Sequence, residues 1–151
     1  MSIGTLPVDS PELFERLARR MASEEALFER LGDVEIDLAL IMLRPEEEPF
    51  RVLLRFSGVT CTEVSVTAAG RERDADCWLE GALEYWEAMF SDICSHGHAT
   101  GPWTLNALTL FGDRISLHAA DPVGEDRFHR FNQTLQEFFD GAAVAADYTK
   151  E

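Results

Sequence analysis

Three observations predict an α+β chain. From Val34 to Met42, and again from Phe50 to Phe56, large apolar residues recur at every second position, which is the period of a half-buried strand. From Leu83 to Ile93, and again from Phe128 to Phe139, they recur at intervals of three and four, the period of a helix packed on one side. The strand-like segments run consecutively between helix-like ones instead of alternating with them, and that order separates the helices from a sheet with short connections.

At the start of the chain, Ser10-Pro11-Glu12 reads as a helix start. Pro11 occupies a first-turn position where its missing N–H costs nothing, and Leu13, Leu17 and Met21 mark one face. Ser23 is placed to cap a second short helix with Leu27, Phe28 and Leu31 on its apolar side, ending at Gly32. Val34, Ile36, Leu38, Leu40 and Met42 then alternate along a long strand. A charged turn from Arg44 to Pro49 leads into a partner strand with Phe50, Val52, Leu54 and Phe56 on one face, so the two are expected to form a hairpin.

A third strand is expected over Val59–Ala68, where the apolar parity shifts between Cys61 and Val64, the mark of a bulge or of an edge strand. After a polar turn around Gly70, Asp74–Glu80 alternates again, with Ala75, Cys77 and Leu79 on one face. Four strands in meander order are the simplest assembly. Gly81 ends this strand and a helix follows, with Leu83, Trp86, Phe90 and Ile93 on its apolar face and Tyr85 and Met89 widening it. His96–Pro102 breaks the pattern. Leu105–Phe111 and Arg114–Ala119 then read as strands joined by a tight Gly112-Asp113 turn.

Asp121-Pro122 opens a last helix that Gly141 closes, with Ala142–Glu151 as a tail. Phe128, Phe131, Leu135, Phe138 and Phe139 form its apolar stripe, while Arg127, Arg130, Gln133, Gln136 and Glu137 occupy the other side. At about 1.5–3 kcal/mol per large apolar side chain, such a stripe must be covered. It closes an ordinary core or walls a pocket for an apolar ligand.

The 151 residues, 46% of them hydrophobic, suffice for one domain with one core, about residues 10–141. Thirteen Lys and Arg against 28 Asp and Glu give a net charge of −15, which repels nucleic-acid phosphates and anionic membranes. Nucleic acid is therefore not an expected partner, and membrane contact is expected to be transient at most. Cys61, Cys77 and Cys94 have no paired spacing and read as small buried hydrophobes in a reducing compartment. The first ten residues lack the pattern of a signal peptide and no stretch has the length of a membrane span, so a cytoplasmic location is expected.

Cys94-Ser95-His96-Gly97-His98 contains zinc-ligand residue types, with His118 and His129 as remote candidates, but its glycine fits a surface loop equally well. Asp92 or Asp113 with Tyr85 or a histidine has the chemistry for acid/base catalysis, although no spacing singles out a pair. The residue patterns of covalent and phosphoryl chemistry are absent. No catalytic residue, metal site or cofactor is assigned. Trp78, Trp86 and Trp103 flank the central helix and enrich the same region in aromatic rings.

Asp74-Ala75-Asp76-Cys77-Trp78-Leu79-Glu80-Gly81, followed at once by a helix with Tyr85-Trp86, resembles a segment of the sterol carrier protein 2 family in its small bacterial and archaeal stand-alone form. Leu108-Thr109-Leu110-Phe111-Gly112-Asp113 is similar to that family's apolar strand ending in Gly-Asp, and the amphipathic last helix completes a likeness over about residues 10–141. The resemblance implies an α+β fold with a mostly antiparallel sheet of five strands, or six, helices on one face, and an apolar tunnel between sheet and helices for sterols, fatty acids or acyl chains. By motif position it implies ligand contacts from Trp86, Phe90, Ile93, Leu108, Leu110, Phe128, Phe131, Leu135 and Phe138.

Two features depart from the family pattern: the additional strand at Ile115–Ala119, which bears on cavity shape, and the charge, which bears on membrane docking. The expected activity is non-enzymatic binding or carrying of a lipid-like molecule. The alternatives are a small isomerase or hydratase of the cone-shaped ketosteroid-isomerase type, which needs a carboxylate or histidine at the pocket floor, and an interaction module whose stripe mates with a partner or a second copy in a homodimer.

Overall fold

A computed structural model describes residues 2–3, 6–111 and 114–148. Strands β1 (Ser2–Ile3) and β2 (Leu6–Pro7) form a two-residue antiparallel pair. Strands β3 (Val34–Leu43) and β4 (Phe50–Gly58) form the expected hairpin, with Val34 opposite Gly58 and Met42 opposite Phe50. Strand β5 (Thr60–Val66) pairs antiparallel with β4. Its register slips where Arg55 faces Glu63 but Phe56 faces Cys61, leaving Thr62 as the extra residue of the bulge that the parity shift predicts.

The meander does not continue. Strand β6 (Cys77–Ala82) crosses back to pair in parallel with β3, Leu38 opposite Cys77, and β7 (Ile115–His118) pairs antiparallel with β6. The order is β5-β4-β3-β6-β7, a mostly antiparallel five-stranded sheet. Burial explains the placement. Cys77, Trp78 and Leu79 are all buried, as in a strand with neighbours on both sides, whereas no residue of β5 is buried, as befits an edge. Asp76 pins the crossover to β3: its backbone N–H donates to the Asp37 carbonyl at 2.9 Å and its carboxylate accepts from the Asp37 N–H at 2.8 Å.

Among the described residues, six α-helices accompany the sheet: α1 (Pro11–Ser23), α2 (Glu25–Leu31), α3 (Leu83–His96), α4 (Leu105–Phe111), α5 (Pro122–Arg130) and α6 (Asn132–Asp140). Their buried side chains join the even-numbered residues of β3 and β4 in one apolar cluster, which puts the helices on one face. The other face carries a smaller cluster of Ala39, Ile41, Leu53, Ala75 and Trp78 beside a 3-10 turn at Arg71–Asp74. There Arg73 lies over the Trp78 ring and His118 stacks on it at 5.9 Å. Ala75 thus belongs to the opposite face from Cys77 and Leu79.

Several local expectations are corrected. Ser23 is the last residue of α1, its hydroxyl donating to the Arg20 carbonyl, and Glu24 takes the position before α2. Leu105–Phe111 is a helix, not a strand: the Thr104 hydroxyl accepts from the Ala107 N–H at 3.1 Å, and the Leu108 N–H reaches the Thr104 carbonyl at 2.9 Å. The Gly112-Asp113 turn lies outside the described residues. The last helix is two, broken at Phe131, where φ is −102° and ψ is 13°. Beyond it, Gly141–Tyr148 forms 3-10 turns with Ala142 and Ala145 buried, so this part of the expected tail is packed. Of the cysteines, Cys77 is buried, Cys61 half-buried and Cys94 exposed. Among the described residues no helix is long and apolar enough to cross a membrane.

Candidate functional site

The space between sheet and helices is built from rings. On α1, Phe14 meets Phe90 of α3 edge-on at 6.2 Å and Phe139 of α6 at 6.4 Å; Phe90 and Phe139 meet at 6.0 Å. Phe138 sits edge-on to Phe139 at 5.5 Å and to Phe56 of β4 at 4.9 Å, which ties the last helix to the sheet. Edge-to-face pairs of this kind add about 0.5–1.5 kcal/mol each beyond area burial. The Trp86 indole N–H, fully buried, donates to the Gly81 carbonyl at 3.2 Å, so its one polar group is satisfied.

Trp86, Phe90, Ile93, Leu108, Phe128, Leu135 and Phe138 are all buried members of this cluster, and half-buried Phe131 packs against it. Phe131 stands at the α5–α6 break with Arg130 over its ring at 5.8 Å. Leu110, expected to face the interior from a strand, lies on helix α4 and is 70% exposed. Phe14, Phe56, Met89, Leu105 and Phe139 join the interior as well; Phe56, Met89 and Phe139 were expected on apolar faces but not among the ligand contacts. For Phe14 the signal was available, since it widens the stripe of Leu13, Leu17 and Met21.

Among the described residues the buried polar or charged side chains are Arg16, Arg20 and Thr134, so no carboxylate, Lys amine or imidazole is buried. The cluster's one buried thiol, Cys77, has its pKa pushed up to about 12, by burial first and by the nearby Asp76 charge second, and stays protonated. Among the described residues the interior therefore offers apolar surface and no ionised carboxylate, imidazole or thiolate. Charge is confined to its boundary, where Arg20 clamps the end of α6. Its guanidinium donates to the Glu137 carbonyl at 2.7 Å, the Glu137 carboxylate at 2.8 Å and the Glu24 carboxylate at 3.1 Å, and lies over the Phe28 ring. A cation at a helix C-terminus also meets the negative end of the dipole.

Of the acid/base candidates, half-buried Tyr85 packs against this cluster, and Asp92 lies outside it. Asp92 accepts from the Thr100 N–H at 2.6 Å and from the Thr100 hydroxyl, and its Oδ1 lies 3.0 Å from His96 Nδ1, so it serves to hold the α3–α4 loop. Asp113 is outside the described residues. Around the Cys94–His98 run, the Cys94 thiol faces the Ala142 carbonyl at 3.6 Å and His98 Nδ1 lies 3.0 Å from the Ala99 carbonyl. Among the described residues no group of three or more potential ligands gathers to hold a metal.

Among the clefts bounded by described residues are three that none of the nine expected ligand residues lines. One of about 500 Å³ lies on the outer side of α3 between Glu84 and Trp103; one of about 310 Å³ lies on the far face of the sheet, along β5; one of about 290 Å³ lies at the start of α5.

No family model matches the chain, and no curated protein sequence matches it. Two solved structures do. "Crystal structure of sterol carrier protein 2" superposes with a TM-score of 0.67 at 16% identity, covering 89% of this chain and 96% of the other. A solution structure of a conserved hypothetical protein from Thermus thermophilus, described as possibly a sterol carrier protein, gives a TM-score of 0.64 at 16% identity, covering 88% of this chain and 85% of the other. At that identity the likeness is one of fold. This chain has the sterol carrier protein 2 fold.

Proposed function

We propose that this protein binds and carries a lipid-like molecule between its sheet and its helices, without chemistry and without a cofactor. One observation carries the reading: an aromatic-rich apolar cluster lies at the sheet–helix boundary of a fold shared with sterol carrier protein 2. Binding derives from removing ligand surface from water, at about 25 cal/mol per Å², less the cost of ordering the ligand. Trp86, Phe90, Ile93, Leu108, Phe128, Leu135 and Phe138 supply the apolar contacts, and Phe131 guards the α5–α6 break. Because most of these side chains are fully buried, entry requires neighbouring helices to part, and slow association is expected.

Native mass spectrometry of the gently purified protein, followed by extraction and identification of bound material, tests the proposal. A reproducible apolar adduct, or uptake from a panel of fatty acids and sterols, is the expected result. Phe131→Asp, at a half-buried position, is expected to remain folded and lose that uptake. A clean apo mass with no uptake overturns the carrier reading, and unchanged uptake by folded Phe131→Asp removes Phe131 from the site.

A further inference from the structure

The break between α5 and α6 holds an amide that an apolar interior does not account for. Asn132 is the first residue of α6, and spacings of three and seven put it on the helix face of Leu135 and Phe139, both fully buried in the aromatic cluster. Its side-chain Nδ2 is buried and, among the described residues, has no hydrogen-bond acceptor. A buried amide N–H without an acceptor is costly, and native proteins leave few such groups unpaired.

Positive charge gathers at the same break. Arg127, His129 and Arg130 occupy the last turn of α5, in a chain with 13 Lys and Arg against 28 Asp and Glu. Arg127 donates to the Glu35 carbonyl at 2.9 Å, and the Arg130 guanidinium lies over the Phe131 ring at 5.8 Å. Among the described residues neither of these arginines pairs with a carboxylate, whereas Arg16, Arg20, Arg44, Arg55 and Arg71 all do. The α5 dipole favours cations in that turn. What distinguishes Arg130 is its place over Phe131, at the edge of the aromatic interior.

We propose that this break is the head-group end of the lipid site, where Asn132 and Arg130 hold the carboxylate of a fatty acid. The inference rests on the carrier reading and adds to it the class of lipid. The Asn132 N–H donates to one carboxylate oxygen, and the Arg130 guanidinium gives a charge-assisted hydrogen bond to the other. The acyl chain runs from there past Phe128 and Leu135 into the cluster. A hydroxyl-headed lipid can accept from Asn132 but leaves Arg130 without an anion, so a carboxylate is preferred on a chain of equal length.

Calorimetric titration of the delipidated full chain at pH 8 with dodecanoate, 1-dodecanol and acetate tests the assignment. Wild type is expected to bind dodecanoate about tenfold more tightly than 1-dodecanol, and acetate not measurably. Asn132→Asp keeps the side-chain shape and suits a helix N-terminus, but it replaces the donor with a negative charge. It is expected to weaken dodecanoate binding about tenfold and to spare 1-dodecanol, whose hydroxyl can donate to the new carboxylate. Arg130→Gln is expected to weaken dodecanoate about fivefold and leave 1-dodecanol unchanged, while Arg30→Gln, at an exposed position on α2, changes neither. Equal wild-type affinity for the two lipids, dodecanoate affinity unchanged in Asn132→Asp or Arg130→Gln, or acetate bound as tightly as dodecanoate overturns the head-group assignment. If 1-dodecanol still binds, the carrier reading survives that result. Uptake of neither lipid overturns the carrier reading and the assignment with it.

Discussion

Gly124 occupies a position where one methyl group decides whether the last helices can seat. A Cβ built there runs into the Asp76 carbonyl, and at Gly81 it runs into the Arg114 carbonyl, so both glycines are close-approach residues at the crossover and at the β6–β7 pairing. Gly58 differs: its φ is +65° and the space around a Cβ is open, so its requirement is conformational. Urea denaturation should therefore rank the alanine variants, with Gly124→Ala losing about 3 kcal/mol, Gly81→Ala a comparable amount, and Gly58→Ala about 1 kcal/mol. A Gly124→Ala variant as stable as Gly58→Ala would remove the close approach of α5 to Asp76. Arg20 is the corresponding polar case. Burial alone would lower its pKa, but the hydrogen bond to Glu137 and the charges of Glu24 and Glu137 outweigh that and hold it above the ordinary value. Truncation to Ala orphans the Glu137 carbonyl and uncovers Phe28, for an expected loss of about 2–4 kcal/mol in the same assay.

Among the elements, α3 and the β3–β4 hairpin were legible because each shows a single period over a long run. Helix α4 was not, since Leu108-Thr109-Leu110 alternates like a strand while Leu105 and Leu108 are spaced like a helix. Thr104 supplies the cap that favours the helix, and Leu110 is left in water. The two readings differ measurably: Leu108→Ala should cost about 2–4 kcal/mol and Leu110→Ala less than about 0.5 kcal/mol, where a strand with both leucines inward would make them alike. The parallel placement of β6 also escaped the period, because partner choice depends on burial of both faces and not on alternation along one. Between α4 and α6, Gln136 accepts from the Leu105 N–H at 2.7 Å and donates to Asp140, which also accepts from the Ala99 N–H at 3.0 Å. Burial raises the Asp140 pKa above the ordinary carboxylate value, its two hydrogen bonds opposing the shift only in part. Folded Asp140 therefore binds its proton more tightly than in the unfolded chain, and its contribution to stability rises as pH falls through the folded pKa toward the unfolded value. Urea denaturation at successive pH values should show wild type gaining stability relative to Asp140→Asn on acidification from pH 7; a relative loss would reverse the assigned shift.

For the whole molecule, the candidate site was legible to the extent that apolar stripes foretell burial. Phe128, Leu135 and Phe138 do converge with Trp86, Phe90 and Ile93 under the sheet. A stripe does not specify what it meets, however, and the difference between a filled core and a ligand-expanded one lies in a few side-chain volumes that no period encodes. Linkage gives that difference a thermodynamic signature. A ligand that binds the folded state alone stabilises it by RT ln(1 + [L]/Kd), about 2.7 kcal/mol at a hundredfold excess over Kd. For a chain of this size that corresponds to a rise in Tm of about 5–10 °C. A carried lipid should produce such a rise, and hydrogen exchange should slow in α3, α5 and α6, whose residues are proposed to contact it. The cleft on the outer side of α3, which Ser91 lines, lies outside that interior, so Ser91→Trp should leave the thermal shift intact. A lipid that raises Tm in wild type but not in Ser91→Trp would place its binding in the outer cleft instead of the aromatic interior.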